Sequence, residues 1–318
     1  MSRVVNGSLK VSERTRRKVL SVIEDAGYTP NAFARGLGFG SMKTVGIICP
    51  DISDAYIAKA VSYLEKGLYE KGYQCILGCS GYEQRDKENY TNFLLSKKVD
   101  MLIMVGSTYS GNEKNYKETE YIRKAAKHVP TFMINACVDG DNVYCVYLDD
   151  FGAAYEVTSS LIKSGRKRIL FLHNSRSFSA MQKLEGYEAA LKDAGYPVLG
   201  DLKFYTKNEI HYTRDLLLQH KDLKFDAVLA TDDELAVAVL KYAKAKRLSV
   251  PGDLSVVGYN NSNLSECSEP ELTSVDSRLE DLCNITIERM FEMIGGNMRS
   301  ERNTKVAYKI VKRSTTDF

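Results

Sequence analysis

From Thr44 onward the chain alternates short apolar runs with amphipathic helical segments. This alternation is typical of doubly wound α/β sheets, in which each parallel strand is followed by a helix that covers one face. A first series of strands is predicted at Thr44–Cys49, Tyr73–Ser80, Asp100–Gly106, Pro130–Ala136 and Val143–Leu148. A second series is predicted at Arg168–His173, Leu202–Tyr205, Asp226–Ala230 and Leu254–Tyr259. Two series of strands predict two sheets, separated near Asp149.

The intervening helices are predicted from apolar residues that recur at helical spacing and from glycines that end each segment. In Ala55–Lys71 the apolar stripe consists of Ile57, Val61, Leu64 and Leu68. Gly72 follows and ends this helix. Further helices are predicted at Gly152–Lys163, Ala180–Ala194, Glu234–Lys246 and Leu279–Ile294.

Positive charge is concentrated in the first 44 residues. Eight Lys and Arg residues stand there against three Asp and Glu, a net charge of +5, whereas the whole chain carries +3. Such a segment suits a phosphate backbone, because neutralised phosphates release their counterions. Ser12 as N-cap and Gly27 as stop predict a helix over Glu13–Ala26, with a small core at Val19, Val22, Ile23 and Ala26. Charge alone leaves open a solvated helix without a partner.

Two short motifs flank this helix. Ser2-Arg3-Val4-Val5-Asn6 precedes it, and Tyr28-Thr29-Pro30-Asn31-Ala32-Phe33-Ala34-Arg35-Gly36-Leu37 follows it. In this order the motifs resemble the DNA-binding headpiece and hinge of the lactose/galactose-repressor family of bacterial transcription regulators. The resemblance implies a partial, all-α helix-turn-helix headpiece at residues 1–29 and a hinge or linker at 30–43.

The resemblance also implies which residues contact operator DNA: Ser2, Arg3, Asn6, Ala34, Arg35 and Leu37. Arg3 matches a position that reaches base edges in the major groove, where its planar fork suits guanine. Leu37 matches a hinge residue that wedges into the minor groove and kinks the duplex.

The headpiece motif starts late relative to the family pattern. Met1 stands where the family has a valine of the recognition helix, so the first helix and the turn are expected to be missing. A recognition helix without that scaffold is expected to bind DNA weakly and with poor specificity. A start codon assigned too far downstream would explain the pattern equally well.

The remainder resembles the two-lobed, periplasmic-binding-protein-like core of the same family. The resemblance is carried by Val45-Gly46-Ile47-Ile48 with Pro50-Asp51, Leu94-Leu95-x3-Val99-Asp100, Asp149-Asp150-x-Gly152, Val250–Tyr259 and Leu272-Thr273-Ser274-Val275. It implies one lobe of residues 44–148 plus 277–307 and another of residues 149–276 plus 308–318. The chain is expected to cross between the lobes near Asp149, Asp276 and Tyr308. The predicted fold class is thus α/β, with two doubly wound parallel sheets.

Candidate ligand-binding residues follow strand ends, because open α/β sheets bind ligands beyond the carboxyl ends of their strands. They are Tyr56, Ser177, Ser179, Lys183, Asp232 and Asn260. Tyr56 matches a family aromatic that flanks the ligand, with ordinary lobe packing as the alternative. Ser177 and Ser179 could bind a polar ligand or cap a local loop.

Three of these candidates depart from the family pattern. Lys183 replaces a common Arg, Asp232 a common Asn and Asn260 a common Asp. Because a lysine cannot reproduce the bidentate fork of arginine, a ligand other than the commonest family effectors is expected, hydroxyl-rich or amine-bearing. The alternative is a pocket without an effector, in which Lys183 and Asp232 only pair with each other.

Several functional classes lack their motifs. The sequence has no Gly-x-Ser-x-Gly elbow, no phosphate-binding Gly-x4-Gly-Lys loop and no His-Glu-x-x-His pair. The seven cysteines are expected to be reduced thiols, and Cys75-x3-Cys79 lacks the partner cluster of a metal site. No apolar stretch approaches about 18 residues, and no signal-peptide pattern is present. A cytoplasmic protein that is not an enzyme and uses no cofactor or metal is expected.

Together, these features predict an effector-responsive transcription regulator, usually a repressor, that binds a pseudo-palindromic operator as a homodimer. Its small-molecule effector, a sugar or another polar metabolite, would lie between the two lobes. Two alternatives stay open at this point. One is a small-molecule binding protein of the periplasmic type, and the other is a regulator fragment that binds effector without binding DNA.

Overall fold

Two six-stranded sheets form the framework of the protein in the computed structural model, which describes residues 4, 10–26, 41–111, 116–296 and 301–318. The first sheet consists of β1 (Thr44–Cys49), β2 (Gln74–Cys79), β3 (Met101–Val105), β4 (Thr131–Ile134), β5 (Val143–Leu148) and β11 (Asn303–Val306). Its order is β11-β5-β4-β3-β1-β2, with parallel pairing throughout. Strands buried on both faces read as continuous apolar runs. In β1, Ile47 faces one core and Ile48 the other.

The second sheet consists of β6 (Ile169–His173), β7 (Lys203–Tyr205), β8 (Ala227–Ala230), β9 (Ser255–Tyr259), β10 (Thr273–Asp276) and β12 (Lys309–Val311). Its order is β12-β10-β9-β8-β6-β7. The edge strand β12 pairs antiparallel with β10, and the other pairs are parallel.

The helices of the described residues are α1 (Glu13–Asp25), α2 (Ala55–Glu70), α3 (Gln84–Ser96), α4 (Glu120–Ala126), α5 (Asp150–Lys163), α6 (Phe178–Asp193), α7 (Ile210–Gln219), α8 (Asp233–Lys246), α9 (Asn263–Cys267) and α10 (Leu279–Ile294). Short 3₁₀ turns lie at Ser107–Ser110, Tyr116–Thr119 and Gly200–Leu202. None of these helices is both long enough and apolar enough to cross a membrane.

The two lobes have separate cores. In the first lobe, Leu64 and Leu68 of α2 pack with Leu282 and Ile287 of α10 against the sheet. Each buried side chain of this size stabilises the fold by roughly 1.5–3 kcal/mol. In the second lobe, α5 and α6 pack so closely that a Cβ on Gly186 would lie 2.2 Å from the carbonyl oxygen of Phe151. Only glycine permits this approach of the two backbones.

The predicted fold class is confirmed, since both sheets are doubly wound and nine strands lie where apolar runs predicted them. Three further strands, β10, β11 and β12, were not predicted as strands. All three are short. Two of them are largely polar, Thr-Ser-Val-Asp in β10 and Asn-Thr-Lys-Val in β11, and β12 consists only of Lys-Ile-Val. In β10 the polar side chains are buried because the Ser274 hydroxyl donates to Asp233, a contact that no local pattern reveals.

The N-terminal helix α1 begins as predicted. The Ser12 hydroxyl accepts a hydrogen bond from the Thr15 amide at 3.4 Å, which satisfies one free donor of the first turn. The prediction of a small core on this helix is not met in the described residues. None of the side chains of α1 is buried there, and Val22 is 54% exposed. The motifs at residues 2–6 and 28–37 lie outside the described residues, apart from Val4.

The chain passes between the sheets at three connections: from β5 to α5, from β10 to α10, and from β11 to β12. Asp149 lies in the first, Ser277 and Arg278 in the second, and Tyr308 in the third. These three backbone segments connect the two sheets. A hinge motion about segments of this kind would change the angle between the lobes and leave each core intact.

Candidate functional site

A cleft between the lobes is lined by residues that follow the strands of both sheets. From the first lobe come Asp54 and Tyr56 after β1, Tyr82 after β2, Ser107 and Thr108 after β3, and Asn135 after β4. From the second come Asn174 and Ser177 after β6, Thr231 and Asp232 after β8, and Asn260 after β9. Because the strands of each sheet are parallel, their carboxyl ends meet at one edge, where backbone amides and polar side chains collect.

The cleft holds two adjoining cavities. The smaller one, lined by Ser107, Ser177 and Lys183 and named the inner cavity, has a volume of about 120 Å³. The larger one, named the outer cavity, has a volume of about 430 Å³. Asp54, Tyr56, Asp232 and Asn260 line both cavities, so they mark the junction. The outer cavity extends to Ser277 and Arg278 in the second connection between the lobes. A ligand at the junction would therefore contact both lobes and one of the segments about which they pivot.

Four side chains of the inner cavity have a buried polar atom without a hydrogen-bond partner: Tyr56 Oη, Thr108 Oγ1, Asn135 Oδ1 and Thr231 Oγ1. Thr231 is only 3% exposed. Leaving a buried polar group unpaired costs about 1–3 kcal/mol. Several such groups around one cavity indicate that a polar ligand or ordered water completes their hydrogen bonding.

Asp232 stands at the centre of the site. The side-chain amides of Asn260 and Asn174 donate to its two carboxylate oxygens at 2.6 and 3.3 Å. Burial raises the pKa of Asp232 to about 7. The Lys183 ammonium opposes this rise, and the negative charges of Glu234 and Asp54 add to it.

The loop after β9 presents Asn260 to this carboxylate. Asn260 has φ +90° and Asn261 φ +47°, values that asparagine tolerates better than most residues. The buried carboxylate of Asp233 fixes the loop, since it accepts from both the amide and the hydroxyl of Ser262, at 2.6 and 2.8 Å. The fold therefore orients Asn260 before any ligand arrives.

Lys183 lies beneath the cavity and is only 7% exposed. Its ammonium sits 3.5 Å from the ring centroid of Tyr259 and donates to the Thr231 carbonyl at 3.4 Å. The Tyr259 hydroxyl in turn donates to the buried Asp150 carboxylate at 2.6 Å. Burial raises the pKa of Asp150, and the Lys183 charge opposes that rise. The Lys183 charge thus offsets part of the negative charge of Asp150 and Asp232.

A hydrogen bond joins the lobes directly across the cleft. The Ser107 hydroxyl, in the 3₁₀ turn of the first lobe, donates to the Ser177 hydroxyl of the second lobe at 2.9 Å. Ser177 is also the N-cap of α6, accepting from the Ala180 amide at 3.5 Å. Of the two roles considered for Ser177 in the sequence, capping is present in the structure, whereas binding of a polar ligand stays a prediction.

The structure brings all six candidate ligand-binding residues together in this one cleft: Tyr56, Ser177, Ser179, Lys183, Asp232 and Asn260. Their role in ligand binding stays a prediction. The six DNA-contact candidates, Ser2, Arg3, Asn6, Ala34, Arg35 and Leu37, lie outside the described residues.

The alternative of a simple Lys183–Asp232 pair is corrected by the geometry. Within the described part of the chain the Lys183 ammonium forms no direct ion pair with Asp232, because it points to the Tyr259 ring and the Thr231 carbonyl. Asp232 is held by two amides instead.

Sequence reasoning missed Asp54, Tyr82, Thr108, Asn135, Asn174 and Thr231 as lining residues. Each lies within a few positions of a strand end, so the rule that identified Tyr56 could have found them. Asp150 was recognised only as part of a family-like stretch, and its burial beneath the site was not foreseen.

Groups suited to other chemistry are sparse in the described ranges. No cluster of three or more His, Cys, Asp or Glu residues there could hold a metal ion. His173 ends β6, where burial lowers its pKa and its Nδ1 lies 3.0 Å from the Ser175 carbonyl oxygen.

Comparison with known proteins gives two family matches. The family described as bacterial regulatory proteins, lacI family, matches residues 1–31. The periplasmic binding protein-like domain matches residues 158–316. An HTH-type transcriptional regulator of Lachnoclostridium phytofermentans is 44% identical over 320 residues, covering 100% of this chain and 95% of that relative.

Solved structures agree with these matches. A transcriptional regulator CelR–cellobiose complex is 25% identical with a TM-score of 0.74, covering 99% of this chain and 94% of its own. The lac repressor dimer bound to operator and the anti-inducer ONPF has a TM-score of 0.88 and covers 99% and 93% of the two chains. At 20% identity, this second similarity shows the fold alone.

Proposed function

Because this chain belongs to the lacI family of bacterial regulatory proteins, we propose that it is an effector-responsive transcriptional regulator, with its effector bound in the cleft between the lobes. The observation that carries the proposal is the set of four buried polar atoms that lack a hydrogen-bond partner and belong to residues lining the inner cavity. Three of them come from the first lobe and one from the second. A ligand that completes these hydrogen bonds binds only where both lobes are close, so it favours one relative orientation of the lobes.

The effector is proposed to be a small polar molecule rich in hydroxyl groups. Serine, threonine, asparagine and tyrosine side chains line the inner cavity, and such groups both donate to and accept from hydroxyls. The CelR relative was solved with cellobiose, which supports a carbohydrate-like ligand for this chain as well.

The DNA partner is proposed to be a pseudo-palindromic operator, bound by a homodimer in the cytoplasm. The +5 charge of residues 1–44 supports DNA as the partner, because positive side chains neutralise phosphates. A homodimer carries two such segments, which match the two half-sites of the operator. The proposed contacts are those of the family motif, through Ser2, Arg3 and Asn6 and through Ala34, Arg35 and Leu37.

The proposed domain division follows the two sheets. One lobe comprises residues 44–148 plus 277–307 and the other residues 149–276 plus 308–318, after a headpiece at 1–29 and a hinge at 30–43. Effector binding changes the angle between the lobes, which changes the separation of the two hinges in a dimer. Operator and effector affinity are then coupled by the same factor in both directions.

Fluorescence anisotropy on DNA fragments from upstream of the protein's own gene tests the proposal. We expect a near-palindromic fragment to bind more tightly than an unrelated fragment, although with the low affinity and specificity expected of the partial headpiece at residues 1–29. Affinity should change at least fivefold when an effector identified by calorimetry is added. Effector binding without any affinity for a specific fragment would instead favour a regulator fragment or a pure binding protein.

A further inference from the structure

We propose that the effector carries an ammonium group on a hydroxylated skeleton, as an aminosugar does, and that this ammonium binds between Asp54 of one lobe and Asp232 of the other. The inference rests on the proposed function, because it names the chemical class of the molecule in the same cleft. It starts from the charge of the lining residues.

The two cavities are lined by more acidic than basic side chains. The acidic ones are Asp54, Asp232, Glu234, Asp276, Glu280 and Asp281. The basic ones are Lys59, Lys183 and Arg278. A cleft with this excess of negative charge attracts a cation and repels an anion.

Two of the three basic side chains are already engaged. The Lys183 ammonium sits on the Tyr259 ring beneath the cavity, and Arg278 is hydrogen-bonded to Asp281. Lys59 lies on the exposed side of α2 at the outer cavity. Among the residues that the structure describes, Asp54 and Asp232 at the junction of the two cavities therefore form no ion pair with a Lys or Arg side chain.

Asp54 and Asp232 approach the junction from opposite lobes. Asp54 is the N-cap of α2, and its Oδ1 accepts from the Ile57 amide at 3.1 Å. Asp232 precedes α8 in the second lobe. Both residues line both cavities, and the charge of Asp54 contributes to the raised pKa of Asp232. Their repulsion opposes closure of the cleft, and a cation between them removes it.

Aromatic rings stand beside these carboxylates. Tyr56 lines both cavities and Tyr82 lines the inner one. The charges of Asp54 and Asp232 reach both phenols, where they add to the rise in pKa that burial causes. Two tyrosines next to two carboxylates form a suitable environment for an ammonium, because the faces of aromatic rings attract cations.

The remaining wall suits hydroxyl groups. Thr231 Oγ1, Thr108 Oγ1 and Asn135 Oδ1 are buried without partners in the inner cavity. Thr231 is contiguous with Asp232 in the chain, so an ammonium at the junction places neighbouring hydroxyls within reach of these atoms. A neutral sugar would satisfy the hydroxyl partners but leave the repulsion between the carboxylates in place.

Isothermal titration calorimetry on the full chain tests the inference with matched pairs of probes at constant ionic strength. The pairs are glucosamine with glucose, galactosamine with galactose and mannosamine with mannose, together with the N-acetyl derivatives, which keep the bulk but lose the charge. We expect at least one aminosugar to bind at least tenfold more tightly than its neutral counterpart and its N-acetyl derivative.

Charge-neutralising variants locate the ammonium. Asp54→Asn and Asp232→Asn should each weaken aminosugar binding at least tenfold. Asparagine caps helices as well as aspartate does, so Asp54→Asn keeps α2 intact, and circular dichroism checks the fold of both variants. Asp222→Asn, at an exposed position in the second lobe away from the cleft, is the matched control and should bind as the parent does.

Each other outcome overturns the inference. A neutral sugar that binds as tightly as its amine would show that the cleft does not select charge, and the proposed regulator function would stand. Absence of binding by every aminosugar would also reject the ammonium, whereas the operator assay decides the regulator function separately. Tight aminosugar binding that survives both Asp→Asn substitutions would remove these carboxylates from the site.

Discussion

At the scale of single residues, the buried charges of the cleft decide what the site can do. Asp232, Asp150 and Lys183 lie within one small volume, and the lysine lowers the pKa of both carboxyls against the effect of burial. Charges withdrawn from water are kept only where partners compensate them. The cleft compensates them incompletely, which is expected of a site that awaits a ligand.

Asp232→Asn is expected to stabilise the ligand-free protein above pH 7. The folded-state pKa of about 7 lies above the ordinary aspartate pKa of 3.8, so the folded protein binds more protons than the unfolded chain between these pH values. The parent therefore loses stability as pH rises from about 4 to 7. Urea unfolding should show the variant more stable by roughly 1–3 kcal/mol at pH 8, with no difference near pH 4. A constant difference at both pH values would contradict this origin.

Lys183→Met is expected to destabilise the protein. Methionine keeps the packing of the side chain but removes the charge that compensates Asp150 and Asp232. Removing one partner from a buried charge network costs about 3–5 kcal/mol. Urea unfolding at pH 7.5 measures the loss, and Lys241→Met, at an exposed position of α8, is the control with little expected change. Equal stability of the two variants would mean that Lys183 does not balance these carboxylates.

At the scale of elements, one kind of close contact holds a lobe together, and another kind fixes the position of one lobe relative to the other. Helices α5 and α6 meet through Gly186, and the 3₁₀ turn at Ser107–Ser110 meets the start of α6 across the cleft. The first contact belongs to the core of one lobe, whereas the second exists only while the lobes are close.

Gly186→Ala is expected to destabilise the second lobe. The added Cβ would meet the Phe151 carbonyl oxygen at 2.2 Å, and backbone cannot move aside as cheaply as the end of a flexible side chain. Overpacking of this kind costs about 1–3 kcal/mol or more. Gly200→Ala, where no heavy atom lies within 4 Å, is the control. In thermal unfolding, Gly186→Ala should have a lower Tm than the parent, and Gly200→Ala should not. Equal Tm values for the two variants would show that α5 and α6 can move apart without a cost in free energy.

Ser107→Ala is expected to weaken effector binding without unfolding either lobe. The substitution removes the hydrogen bond to Ser177 but leaves Ser177 as the cap of α6. A hydrogen bond of this type contributes about 0.5–1.5 kcal/mol, so affinity for the effector should fall about two- to tenfold. Calorimetry measures the affinity and thermal unfolding serves as the control. A drop in Tm with unchanged affinity would assign Ser107 to the stability of its own lobe instead.

At the scale of the whole molecule, the protein separates a positively charged N-terminal segment from a core of slightly negative charge. The two-lobed core offers a cleft whose closure changes the relative position of the segments attached to it. In the proposed function, effector and operator are coupled through the angle between the two lobes.

Operator affinity is expected to fall steeply with salt. The first 44 residues carry eight Lys and Arg side chains per chain, and each neutralised phosphate adds about −0.9 to the slope of log K against log salt concentration. Anisotropy between 50 and 200 mM salt should show a loss of affinity of at least about two orders of magnitude, and Lys18→Gln, at an exposed position of α1, should reduce the slope. A salt-independent affinity would rule out a phosphate-based interface.

Local patterns were sufficient for the main elements and for several site residues. The strands β1 and β5 begin and end as the apolar runs predicted, and so does helix α10. Asp232 and Asn260 were identified because each lies close to a strand end, and Lys183 because it stands in α6 where the family pattern has an arginine. The edge strands β11 and β12 were missed because segments of four and three residues are too short to show a strand pattern. Such segments become strands only when a neighbouring strand offers its free hydrogen-bonding groups.

The sequence by itself determined two doubly wound sheets and a charged N-terminal segment, because side-chain periodicity and net charge are properties of neighbouring residues. Only the tertiary structure decided that Asp54 and Asp232 line the same cavities, that Lys183 turns beneath the site onto Tyr259, and that Ser107 reaches Ser177. These contacts join segments that are far apart in the chain. Their geometry is set by the packing of whole lobes, which no local pattern encodes.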